Sequence, residues 1–135
     1  MASIYKAYDI RGIFPAEVNT RSIARIGRQC AHIFDSGKIV ISQDGRRGGA
    51  EIRKAFCEGL LREGGLIGKD FDLVQVDIST TPMFYFLVNH YKAEGGAMMT
   101  ASHNPREYNG VKAVGKGAEP ISGTEIEAIE VQEEA

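Results

Sequence analysis

Cysteine, proline and long apolar runs are scarce in this chain, and each scarcity narrows what the protein can be. Cys30 and Cys57 are the only two thiols among 135 residues. They form no C-x-x-C pair, which argues against a metal or redox motif and leaves buried free thiols as the expectation. Four prolines and 16 glycines, scattered along the sequence, are too few for a low-complexity or fibrous chain. No stretch approaches the ~20 apolar residues of a membrane span. Lys6 and Asp9 interrupt the start before the apolar core of a signal peptide can develop, so a cytoplasmic location is expected. Neither charge sign is in excess. Lys and Arg number 16 against 18 Asp and Glu, and the net charge of -2 gives no electrostatic reason to bind nucleic acid or an anionic membrane. Small molecules and proteins are the expected partners.

What is present is ordinary globular material, 43% hydrophobic and 25% charged. Against a rough domain size of about 150 residues, the length predicts one domain over 1–135 with enough chain to bury a core without disulfides. Strand-like and helical patterns alternate throughout, with no internal repeat or linker. Tyr5 to Ile10 reads as an opening strand. Ile23, Ile26, Cys30, Ile33 and Phe34 then share one face of a helix capped at Asn19 or Thr20 and ended before Gly37. Lys38 to Ser42 reads as a buried strand. Ile52, Ala55, Phe56, Gly59 and Leu60 mark a second helix that stops at Gly64-Gly65. Phe71 to Asp77 is the next strand, and Thr81-Pro82 opens a third helix, with threonine as cap and proline in the first turn. Gly95 to Ala101 resembles a central strand covered on both faces. Val111 to Val114 reads as a short return strand, and Ser122 with Glu125 forms a capping box for a last helix. The sum is an α/β fold: a three-layer α/β/α sandwich around a mixed, mostly parallel, four-stranded sheet.

In an open α/β sheet, ligands bind beyond the carboxyl ends of the strands, which directs attention to the loop after residue 101. Ser102 offers a hydroxyl, His103 a group able to titrate near neutrality, and Arg106 and Lys112 positive charge. Asn104-Pro105 and Asn109-Gly110 are turn formers that would fix the loop's shape. Acyl transfer on this scaffold uses a G-x-S-x-G elbow, and Thr100-Ala101-Ser102-His103-Asn104 lacks both glycines. A serine that carries a phosphoryl group needs cations and amides around it, which this segment can supply. On local residues alone, a phosphate-handling loop and an ordinary surface turn stand level.

Thr100-Ala101-Ser102-His103-Asn104-Pro105, followed by Glu107-Tyr108-Asn109-Gly110-Val111-Lys112, resembles the phosphoserine signature of the α-D-phosphohexomutases. Tyr8-Asp9-Ile10-Arg11-Gly12 resembles that family's opening motif, Gln43-Asp44-Gly45-Arg46 its second strand and loop, and Thr81-Pro82 the start of its third helix. The resemblance covers the first of four family domains and lies closer to the phosphoglucomutase/phosphomannomutase branch than to the glucosamine one. It implies that Ser102 carries the phosphoryl group exchanged between hexose 1-phosphate and hexose 6-phosphate, of glucose or mannose, through a bisphosphorylated sugar. It further implies that the phosphate on Ser102 is a ligand of Mg²⁺, that hexose 1,6-bisphosphate is the primer, and that His103, Lys112 and Arg11 act in catalysis. Arg11 and Lys112 would also bind substrate, with Tyr8 lining the same cleft. The other domains of a full-length chain would be its partners.

Two departures from that pattern stand out. Gly48 replaces the serine of a D-x-R-x-S pattern beginning at Asp44, and the loop from Asp77 to Thr81 is about two residues short. No D-G-D-G-D-R metal loop follows, and Asp44 alone cannot replace three aspartates. The chain on its own is therefore expected to turn over little or no substrate. The alternative is a stand-alone, non-catalytic module that binds sugar phosphates or a partner. Elsewhere the bland readings prevail: His32 and His90 sit in helical stretches and read as structural or solvated, with no acid or thiol partner expected, Met98-Met99 and Phe84-Tyr85-Phe86 are core or interface, and Glu125, Glu127 and Glu130 form a solvated face.

Overall fold

The structure, a computed structural model, describes residues 3–132. Its strands are β1 (Ile10–Ile13), β2 (Gly37–Gln43), β3 (Phe71–Ile78), β4 (Gly95–Met99), β5 (Tyr108–Gly115) and β6 (Pro120–Ile121). Its helices are α1 (Thr20–Ile33), α2 (Gly49–Leu66), α3 (Thr81–His90) and the short α4 (Gly123–Glu127). The sheet order is β1-β5-β4-β2-β3, with β6 added to β5. Six strands thus replace the expected four. β2 pairs in parallel with β3 and β4, while β5 runs antiparallel to β4, β1 and β6. One reversed strand therefore sits among five that share a direction.

β6 corresponds to no expected strand, and the bounds of two others differ from expectation for local reasons. Tyr5 makes only an isolated bridge to Ile10, so the opening strand lies at Ile10–Ile13 and not at 5–10. β5 starts at Tyr108, inside the segment that looked like a polar loop, because Asn109 and Gly110 pair with Gly12 and Arg11 of β1. A side chain at Gly110 would lie 1.9 Å from the Ile10 carbonyl oxygen, so a residue that resembles a turn former is a close-packed strand glycine.

The sheet faces alternate as strand geometry requires. Ile39, Ile41, Ala97, Met99, Val111 and Ala113 pack with Ile23, Ile26, Ile52, Phe56 and Leu60 of α1 and α2. Val40, Met98 and Val114 turn to the opposite face and pack with Phe84 and Val88 of α3. This gives the three layers. Helix starts follow their caps: Asn19 forms a reciprocal capping box with Ser22, and Ser122 accepts the Glu125 N–H. The third helix is capped by Thr80, one residue before the expected threonine, with its hydroxyl accepting the Met83 N–H.

α1 and α2 cross at glycines. A β-carbon on Gly27 would stand 2.2 Å from the Phe56 oxygen, and one on Gly59 the same 2.2 Å from the Ala24 oxygen. Both glycines are needed for this approach. At the same interface Glu63, only 7% exposed, binds Arg28 Nε at 3.2 Å and His32 Nε2 at 2.6 Å. His32 therefore does have an acid partner, brought to it from the neighbouring helix. Burial raises the Glu63 pKa, but the hydrogen bonds from His32 and Arg28 and their charge outweigh it and hold the carboxyl below its ordinary value. Cys30 and Cys57 are buried free thiols, and burial pushes Cys30 up to about 12. Among the described residues, no helix is long and apolar enough to cross a membrane.

Candidate functional site

The carboxyl ends of β2, β3 and β4 lie on one edge of the sheet, where their parallel alignment brings three loops together. These are the segment after Gln43, the Ser79-Thr80 connection and the segment from Thr100 to Glu107. They border a cleft of about 760 Å³ whose lining includes Asp44, Thr100, Ser102, His103 and Lys112, with Ile78 and Met83 supplying an apolar wall. Lys112 reaches it because β5 alternates. It is the register partner of Met98, on the α3 side of the sheet.

Ser102 sits at the mouth of this cleft, exposed, with φ at 54°. A left-handed, non-glycine residue costs about 1–3 kcal/mol and persists only where its surroundings over-determine it. The surroundings here are unusually explicit. The Ser102 N–H donates to Thr100 Oγ1 at 3.0 Å, and Thr100 Oγ1 donates to Asp44 Oδ2 at 2.6 Å. Arg46 Nη2 donates to the Ser102 and Asn104 carbonyls at 2.6 and 2.8 Å. Its Nη1 donates to the Pro105 and Tyr108 carbonyls at 2.8 and 3.1 Å. Arg46 Nε lies 3.4 Å from Asp44 Oδ2, so one carboxylate supports both arms. Each bond from a charged donor contributes roughly 1.5–3 kcal/mol, so the arginine fork alone outweighs the strain at Ser102.

Further bonds finish the loop. Asn104 closes the turn by donating its backbone N–H and its side-chain amide to the Ala101 carbonyl. Asn109, fully buried, donates to the Arg47 carbonyl at 2.9 Å, which ties β5 to the segment after β2. The Phe14 N–H donates to the Glu107 carbonyl, and the Phe14 ring lies against Gly48. Gly48 has φ at 79°, and a β-carbon there would come within 2.2 Å of the ring, which accounts for the missing serine. Without that side chain, α2 begins with no side-chain cap.

The structure brings Ser102, His103 and Lys112 together on the cleft and leaves the other two expected residues outside its lining. Arg11 shares the Lys112 face of the sheet on the adjacent strand but ion-pairs with Asp9, Nε to Oδ1 at 3.5 Å. That Asp9 oxygen is buried and has no hydrogen-bond partner among the described residues. Tyr8 is 78% exposed, in the turn before β1. Asp44, Arg46 and Thr100 were not expected as site residues. Asp44 and Arg46 were visible only as part of a strand-and-loop pattern.

No group of three or more His, Cys, Asp or Glu side chains among the described residues could hold a metal ion. Asp44 is already engaged by Thr100, the Arg46 backbone and the Arg46 side chain. The residues present thus do not form a Mg²⁺ site by themselves. They do form a hydrogen-bonded loop that offers the Ser102 hydroxyl to a cleft also lined by Lys112 and His103, a chemistry suited to holding an anionic group.

Comparison with known proteins places the chain in a family. Residues 2–135 match the family described as phosphoglucomutase/phosphomannomutase, alpha/beta/alpha domain I. The chain is 40% identical over 118 residues to phosphohexose mutases of Xanthomonas campestris pv. campestris, covering 87% of this chain and 25% of that protein. It is also 40% identical over 119 residues to a phosphomannomutase of Klebsiella pneumoniae, covering 88% of this chain and 72% of the relative. A crystal structure of a phosphoglucomutase/phosphomannomutase family protein from Burkholderia thailandensis superposes with a TM-score of 0.74 at 30% identity, over 96% of this chain and 30% of that one. The chain spans about a quarter of the length of the Xanthomonas relatives. With residues 2–135 matched to the family and the fold shared with a solved member, the chain belongs to the phosphoglucomutase/phosphomannomutase family, as its alpha/beta/alpha domain I.

Proposed function

We propose that this domain carries the transferable phosphoryl group of a phosphohexomutase on Ser102. The phosphoserine gives its phosphoryl to a free hydroxyl of a hexose monophosphate: the bond from Ser102 Oγ to phosphorus breaks, a sugar oxygen–phosphorus bond forms, and the proton of the sugar hydroxyl ends on Ser102 Oγ. The bisphosphorylated sugar then turns over and returns its other phosphoryl to Ser102, which yields the isomeric monophosphate. Lys112, on the cleft beside Ser102, supplies positive charge to the group in transfer. His103, the next residue in the chain, lines the same cleft and positions the reacting hydroxyl or handles its proton. Arg11 and Tyr8 contact substrate only in a complex that brings it over the β1 side.

The observation that carries this reading is the clamped left-handed turn at Ser102, exposed on a cleft with Lys112. An incidental surface turn has no need of an arginine spanning four carbonyls. The substitution at Gly48 does not favour the non-catalytic alternative, because Phe14 fills the space and the Ser102 loop is complete. Family membership implies Mg²⁺ use, and the metal's remaining ligands are proposed to come from outside residues 1–135, together with the segments that select the sugar.

The test is hexose 1-phosphate to 6-phosphate conversion with Mg²⁺ and a hexose 1,6-bisphosphate primer. The pure 135-residue chain is expected to show little or no turnover. Robust turnover by that chain overturns the proposed division of labour.

A further inference from the structure

Ser102 is held on both sides of its α-carbon by hydrogen bonds between its own backbone and the side chains of Thr100 and Arg46. The peptide plane before it is fixed by its N–H on Thr100 Oγ1, and the plane after it by its carbonyl on Arg46 Nη2. Two fixed planes leave φ and ψ no freedom, and so set the direction of the bond from Cα to Cβ. Asp44 couples the two clamps, accepting from Thr100 at 2.6 Å and lying 3.4 Å from Arg46 Nε. The Thr100 hydroxyl proton is committed to Asp44, so its lone pair faces Ser102. Three further carbonyls, of Asn104, Pro105 and Tyr108, are gathered on the same guanidinium.

We propose that Arg46 is the positioning residue of Ser102: its planar fork, balanced by Asp44, imposes the left-handed turn that aims the serine hydroxyl into the cleft. This rests on the reading of Ser102 as the phosphoryl carrier for its functional meaning, since transfer requires the oxygen to be held in line with its acceptor. Lysine cannot replace it, because a flexible ammonium has three donors at one point and no rigid fork to span four acceptors. Arg46 acts through the backbone and is not itself a catalytic residue.

The test uses the ¹⁵N-labelled 135-residue chain and reads the intraresidue HN–Hα cross-peak of Ser102, which is strong for a left-handed residue and weak for an extended one. Wild type is expected to show the strong peak. Arg46→Gln is expected to lose it, with amide shifts moving from Ser102 to Tyr108 while those of α1 and α2 stay in place. Arg46→Lys is expected to give a weakened peak, and Asp44→Asn likewise. A merely structural role would lower thermal stability and leave the Ser102 peak strong, and that result overturns the proposal. Should Arg46→Gln not fold, Arg46→Lys decides, and an unchanged peak in that variant is again fatal. The readout does not depend on phosphorylation. A Ser102 that never accepts a phosphoryl group but loses its turn in Arg46→Gln refutes the proposed function and leaves this inference standing.

Discussion

Replacing Gly48 by serine would restore the side chain that the family pattern places at the start of this helix, and the structure predicts a loss of stability. A serine cap contributes about 0.5–2 kcal/mol when its backbone is extended and its oxygen can reach the first-turn amides. Gly48 has φ at 79° and ψ at -1°, which is not that conformation. Holding a serine there costs about 1–2 kcal/mol. Its β-carbon would also lie 2.2 Å from the Phe14 ring, which packs against the main core and must swing aside. Overpacking of that kind costs about 1–3 kcal/mol. Together these effects destabilise the chain by about 2–5 kcal/mol, a drop in Tm of roughly 7–18 °C at this size. Thermal unfolding followed by circular dichroism reads the change. Measured in a Phe14→Ala background, Gly48→Ser should cost only the backbone portion. A Gly48→Ser variant as stable as wild type would refute the reasoning, since either the left-handed backbone or the ring contact would then be wrong.

Two other perturbations test the helix layer. Gly59→Ala and Gly65→Ala are the same substitution in one helix, yet Gly59 meets the Ala24 carbonyl at 2.2 Å and Gly65 has nothing within 4 Å. Urea denaturation should show Gly65→Ala stabilising by about 0.5–1 kcal/mol and Gly59→Ala destabilising by about 1–3 kcal/mol; equal signs would contradict the helix crossing. Glu63, whose pKa is held below its ordinary value of 4.5, stabilises the fold above that pH and loses its contribution as pH falls through the folded value. Wild type should therefore lose more Tm between about pH 5 and pH 3 than Glu63→Gln does, and parallel Tm profiles for the two would remove the His32–Glu63–Arg28 cluster from the account.

The parts of this fold that were legible in the sequence are those whose signals are local. The Asn19 cap, the apolar stripe of Ile23, Ile26 and Cys30, and the buried run of β2 need only neighbouring residues to be recognised. β6 is two residues long and carries no period, and β5 hid behind Asn109-Gly110, which form a strand only because β1 lies alongside. The residue types around Ser102 left a phosphate loop level with a surface turn, and the motif stood out through its resemblance to a family signature. The device that shapes it did not, because Arg46 binds backbone carbonyls 56 to 62 positions away, and a carbonyl has no sequence signature. His32 and Glu63 were likewise separated by 31 positions and joined only by the crossing of two helices. Such pairings become visible once topology is known.

The account stands or falls on Ser102 as the phosphoryl carrier. The most direct measurement is peptide mass spectrometry that locates phosphate on the longer enzyme in which this domain is proposed to work, after exposure to hexose 1,6-bisphosphate and Mg²⁺. The account predicts the phosphoryl group on the peptide bearing Ser102, and its loss together with most turnover in Ser102→Ala. Phosphate carried at another residue, or near-normal turnover by Ser102→Ala, would contradict it.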